Sequence, residues 1–96
     1  LLPESKKQLL TLVTYLEKNP DAAIIVNGYA DNTGTNEYNL KLSGQRAAAV
    51  VEYLVNMGIS PQRLSSKGYG SQNPIGDNST EEGKRMNRRV EFVIIK

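Results

Sequence analysis

An α/β sandwich, with two helices covering one face of a mixed sheet, is the fold class the sequence predicts, and three observations carry it. Apolar residues recur at helical spacing in two segments. Three strand-like runs lie between and after them. Helices and strands first alternate and then give way to two successive strands, an α-β-α-β-β order. With 96 residues, 39% hydrophobic and 23% charged, the chain has room for one core, so residues 1–96 are read as a single domain.

The first helix is expected to open at Pro3, with Ser5 and Gln8 at capping-box spacing and Leu9, Leu12, Val13 and Leu16 on one stripe. It should end near Asn19 and Pro20. The run "AAIIVNGY" is β-branched and bounded by turn residues, which reads as a largely buried strand. Asn36 or Thr35 can cap a second helix whose Leu40, Ala47, Val51 and Leu54 follow three-four spacing, and Met57-Gly58 closes it. After "ISPQR", the segment "LSSKGYG" is a short strand and "RRVEFVIIK" a stronger one. Between them Ser71 to Asn87 reads as a long loop, of a length that is usually functional. Only Leu1 and Leu2 precede the first helix, so a further strand is expected to lie outside this chain.

Composition narrows the function. Twelve basic and ten acidic residues leave a net charge of +2, with no demand for nucleic acid as a partner. The densest cluster, "EEGKRMNRRVE", sets Lys84, Arg85, Arg88 and Arg89 against Glu81, Glu82 and Glu91, as in a solvated, internally compensated loop. Cysteine and histidine are absent, which removes thiolate and imidazole chemistry, and no metal or cofactor is expected. No apolar run has the length of a bilayer span, so any membrane anchor is expected outside these residues.

The candidate site lies where the first strand meets the second helix. Asp31 emerges at the carboxyl end of a strand, where α/β sheets place ligands. The loop "DNTGTN" supplies small polar residues and backbone N–H donors at a helix start. Asn39 and Arg46, seven residues apart, share a helix face separated by roughly 10.5 Å of rise. One anion and one planar cation with donors between them suit a ligand bearing an ammonium and a carboxylate, an amino-acid head group. The alternative is that Asp31 and Arg46 simply pair with each other, tying loop to helix.

Three motifs then stand in order: Gly-x-x-Asp-Asn-x-Gly from Gly28, Tyr-Asn-x-x-Leu-Ser-x-x-Arg-Ala from Tyr38, and Asn-Arg-Arg-Val-Glu from Asn87. With them, nearly the whole chain resembles the OmpA-like peptidoglycan-binding domain of Gram-negative envelopes. The resemblance implies a β-α-β-α-β-β fold whose first strand is missing here. It also implies binding of the peptidoglycan stem peptide through meso-diaminopimelate, which anchors an envelope protein to the cell wall from the periplasm, with attachment to the outer membrane through a tether outside this chain. By motif position, Asp31 resembles the residue that accepts from the ligand ammonium and Arg46 the one that holds its carboxylate. Asn39, Thr33 and Arg88 resemble further contacts. For Asn39 the alternative is capping of the helix; for Arg88 it is a surface salt bridge to Glu81 or Glu82. Tyr29 and Tyr38 are expected to pack.

Two departures from the family pattern stand out. Gly28-Tyr29-Ala30-Asp31 replaces the common Gly-His-Thr-Asp, and Gly44 lies inside the helix, where it costs about 1 kcal/mol relative to Ala. An enzyme is not expected, because Asp31 has no sequence-near carboxylate partner. An RNA-binding sandwich is disfavoured too, since the last strand offers only Phe92 for base stacking. A periplasmic protein–protein interaction module is the remaining alternative.

Overall fold

The computed structural model describes residues 3–95; the side chains of Pro3 to Lys6, and with them the expected Ser5–Gln8 capping pair, lie outside the described set. Helix α1 spans Pro3–Lys18, strand β1 Ala23–Gly28, helix α2 Asn36–Asn56, strand β2 Leu64–Gly68, helix α3 Glu81–Asn87 and strand β3 Val90–Ile95. A 3-10 turn over Pro61–Arg63 leads into β2. The sheet order is β2-β1-β3. β1 runs parallel to β2, with Gly28 opposite Gly68, and antiparallel to β3, with Gly28 opposite Val90.

Both long helices lie on one face, as expected. Leu9, Val13 and Leu16 of α1 meet Ile24 and Val26 of β1 and Ala47, Val50 and Leu54 of α2 in one core. Ile24 and Val26 are two apart on a strand, so they point to the same side of the sheet. Arg63 ties the layers together. Its guanidinium donates to the carbonyls of Leu16 at 2.9 Å, Asn19 at 2.8 Å and Ala22 at 2.9 Å, in the last turn of α1 and the turn that leads into β1. The outer edge of β3 has no strand partner among the described residues.

Three expectations are corrected. The buried face of α2 runs through Asn39, Ser43, Ala47, Val50 and Leu54. Leu40 is 43% exposed and Val51 only partly buried, because the helix turns its polar Asn39–Ser43 edge toward the sheet at its N-terminal end. The segment Ser71 to Asn87 is not all loop: Glu81–Asn87 forms α3. Thr80 caps α3, its hydroxyl accepting the Gly83 N–H at 2.9 Å. Seven residues without an apolar stripe carry no periodicity signal, so only the cap was there to read. The cationic cluster is also not a solvated loop. Arg89 pairs with Glu91 at 2.6 Å, lies 3.9 Å over the Tyr29 ring and donates to the Asn73 carbonyl at 2.8 Å.

Close packing at one end of the sheet explains the glycines. A Cβ at Gly28 would collide with the Ser43 carbonyl, and one at Gly68 with the backbone of Gly44. A Cβ at Gly44 itself would come no nearer than 4.0 Å to Gly68, an ordinary contact. Gly28 and Gly68, rather than Gly44, therefore let the N-terminal half of α2 press onto the sheet.

Candidate functional site

That close approach positions everything around Asp31. Past the end of β1 the chain stays fastened on both sides: Tyr29 N–H donates to the Arg89 carbonyl at 2.8 Å and Ala30 N–H to the Gly70 carbonyl at 2.7 Å. Gly70 in turn donates its own N–H to Ser43 Oγ at 2.8 Å, a buried bond to α2. Tyr29 stacks on Tyr69 at 5.3 Å and is buried, the packing role expected of it. Asp31 then closes a side-chain turn, its Oδ1 accepting Thr33 N–H at 2.8 Å. Gly34, at φ +86°, redirects the chain into α2. Thr35 rather than Asn36 is the cap, its hydroxyl accepting Tyr38 N–H at 3.1 Å.

A cavity of about 270 Å³ opens beside this turn, lined by Ala30, Asp31, Thr33, Tyr38, Asn39, Leu42, Arg46 and Arg88. All five residues expected from the sequence are among them. They arrive from separate segments: Asp31 and Thr33 from the loop after β1, Asn39 and Arg46 from α2, and Arg88 from the α3–β3 junction. Ala30, Leu42 and Tyr38 complete the lining. Tyr38 is 58% exposed, so the expectation that it packs is wrong for this ring. The signal was legible: residues 38, 39, 42 and 46 recur on one helical face.

The charges are arranged asymmetrically. Arg88 Nη1 donates to Asp31 Oδ2 at 2.6 Å, so Asp31 pairs with Arg88 and not with Arg46, and Arg88 does not pair with Glu81 or Glu82. Burial by itself would raise the Asp31 carboxyl, but the Thr33 N–H and then the Arg88 guanidinium outweigh it and hold the group below the usual 3.8. Arg46 is half-buried and forms no ion pair among the described residues. Asn39 is 2% exposed and is not a helix cap; its Nδ2 is buried with no hydrogen-bond partner among the described residues. A buried, unpaired amide costs stability unless something else accepts from it.

Arg88 is set in place by its neighbour. Asn87 is fully buried, and its Oδ1 accepts the N–H groups of Ile75 and Gly76, both at 2.7 Å. Its Nδ2 donates to the Gly76 carbonyl at 3.1 Å and to Asn78 Oδ1 at 2.7 Å. The first residue of the Asn-Arg-Arg motif thus locks the preceding loop, and the second reaches the cavity.

The OmpA family model matches residues 1–88. The peptidoglycan-binding protein ArfA of Mycobacterium tuberculosis is 44% identical over 94 residues, covering 98% of this chain and 29% of that protein. Outer membrane protein A of Bordetella avium is 47% identical over 96 residues, covering 99% of this chain and 49% of that protein. The chain therefore spans less than half the length of either relative. Among solved structures, the peptidoglycan-associated lipoprotein of Burkholderia pseudomallei superposes with a TM-score of 0.93 at 28% identity, covering 99% of this chain and 80% of that one. Fold, motif order and family match agree: the chain belongs to the OmpA family.

Proposed function

We propose that this domain binds cell-wall peptidoglycan non-covalently, through the meso-diaminopimelate of the stem peptide, and so holds the protein it belongs to against the wall from the periplasm, with the outer membrane as the site of attachment. The observation that carries the reading is the polarity of the cavity. Helix α2 contributes Arg46 and the unpaired Asn39 amide, which are donors for a carboxylate; the loop after β1 contributes Asp31, an ionised acceptor for an ammonium that is here paired with Arg88. The free end of diaminopimelate has one of each group on a single carbon. The names of the mycobacterial relative and of the lipoprotein neighbour support peptidoglycan as the partner class.

Asp31 is poorly suited to catalysis. A carboxyl held ionised below its ordinary range is a weak base and no general acid at neutral pH. The exposed Val93, Ile94 and Ile95 of β3 favour, as a second reading, a periplasmic protein–protein interaction module.

Sedimentation with insoluble sacculi tests the proposal. Arg46→Ala and Asp31→Ala should each abolish or severely weaken binding with the fold retained, since truncating one partner of a desolvated charge contact costs about 2–5 kcal/mol. Arg46→Lys should also fail substantially, because the two-toothed grip on a carboxylate is lost. Walls with lysine in place of diaminopimelate lack the distal carboxylate and should bind much more weakly. Wild-type retention by either alanine variant, or equal binding to both wall types, would reject the site; a partner protein not displaced by free diaminopimelate would favour the second reading.

A further inference from the structure

Both oxygens of Asp31 are already engaged within the protein, Oδ1 by the Thr33 N–H and Oδ2 by Arg88. An ammonium seeking this carboxylate meets a guanidinium on it. Two cations crowded on one nearly buried carboxylate repel, so a ligand ammonium competes with the guanidinium for it. The ion pair is lopsided in a way that says which. The Asp31 side chain is 10% exposed and fixed by its turn, whereas that of Arg88 is 36% exposed. The hydrogen bonds of Asn87 fix the backbone beside Arg88, and none of them involves the Arg88 side chain.

Arg88 also has a second place to go. It lines a neighbouring cavity of about 430 Å³ together with Glu81, Glu82 and Arg85. Setting Arg88 aside, the described residues that line that cavity include two carboxylates against one guanidinium, a surplus of one negative charge among them. Arg88 is the residue common to this cavity and the one that contains Asp31.

We infer that Arg88 is an exchangeable counter-ion that sets the site's specificity for an amine: a ligand ammonium displaces its guanidinium from Asp31 Oδ2, and the guanidinium swings into the Glu81–Glu82–Arg85 cavity. The inference rests on the assignment of Asp31 and Arg46 made above. Its consequence is that the net worth of a ligand amine is a difference between two ion pairs. The first is Asp31 with the ligand ammonium, which forms. The second is Asp31 with Arg88, which breaks and is offset by the contact of Arg88 with Glu81 and Glu82. The carboxylate end of the ligand, read by Arg46 and Asn39, is recognised at full strength, and Arg88 tempers the amine end.

The test is calorimetric titration with two soluble muropeptides, one with the free diaminopimelate amine and one lacking that amine, read as the ratio of their Kd values. Arg88→Gln removes the competitor, so the ratio should shift several-fold toward the amine-bearing ligand, as expected for charges that share a partner. The paired change Glu81→Gln with Glu82→Gln removes the resting place. It should weaken binding of the amine-bearing muropeptide and leave the amine-free one unchanged, moving the ratio the other way. An unchanged or reversed ratio in Arg88→Gln, or loss of both ligands, would make Arg88 a fixed contact and overturn the inference. Arg46→Ala separates this from the parent reading: if it binds both muropeptides as the wild type does, the site assignment itself is wrong, whatever the ratio.

Discussion

The two halves of α2 bury the same face and put it to opposite uses. The C-terminal half buries Ala47, Val50 and Leu54 against Ile24, Val26 and the α1 stripe, and holds the layers together. The N-terminal half buries Asn39 and Ser43 at the carboxyl end of the sheet, where Gly28 and Gly68 let it press closest. Polar burial is tolerable only where partners exist. Ser43 has them, accepting from Gly70 and donating to the Leu40 carbonyl at 3.0 Å. The amide of Asn39 does not. One helix thus separates stability from recognition along its own length, and the point of separation is legible in which buried groups are satisfied.

The separation breaks most visibly at its apolar end. Leu54→Ala empties a fully buried position and should lower unfolding free energy by about 2–5 kcal/mol. Urea denaturation measures the loss, while sacculus binding per folded molecule should be unaltered; a matching loss of affinity would mean that core and site are one unit.

At the polar end, two substitutions four residues apart should diverge. Ser43→Ala strands the buried Gly70 N–H and should cost about 1–3 kcal/mol. It should also speed hydrogen exchange at the Ala30 amide, because that amide donates to Gly70. Asn39→Leu, by contrast, removes an unpaired donor at similar volume. Its stability should hold or rise by about 1 kcal/mol while sacculus binding falls. A destabilised Asn39→Leu with normal binding would return Asn39 to a structural role.

The smallest effect is in pH. The folded carboxyl of Asp31 lies below 3.8, so the stability it contributes is fully present above that value and is lost as pH falls below it through the lower folded value. Melting curves of wild type and Asp31→Asn should therefore differ at neutral pH and converge in the acid range; a gap that widens on acidification would contradict the ion pair with Arg88.

How far the sequence reached differs by element. The α1 stripe was readable because a buried helix face imposes a period of 3.6 on apolar residues, and β1 and the final strand because β-branched runs bounded by turn residues mark strands. On α2 the same rule misled. Leu40 and Val51 fit the spacing, yet the helix is rotated so that Asn39 and Ser43 face inward, and apolar periodicity is blind to buried polar groups. The helix α3 was missed because its support is tertiary: the Thr80 cap and the four hydrogen bonds of Asn87 stand in for an apolar stripe.

For the site, motif and spacing identified Asp31, Thr33, Asn39, Arg46 and Arg88 as residues of interest, since residue type and helical spacing are properties of the chain. Which of them touch was decided only in three dimensions. Asp31 and Arg88 are 57 positions apart, and no local pattern relates them; their 2.6 Å contact depends on β1 and β3 pairing antiparallel so that Gly28 meets Val90, and on Asn87 fixing the backbone next to Arg88. The sequence by itself determined the class of fold and the chemistry available to it, because hydrophobicity and charge are set residue by residue. The tertiary structure decided that Asp31 pairs with Arg88 and not Arg46, because an ion pair is a matter of distance, and distance between remote segments is set by the sheet register and by the glycines that let the helix down onto it.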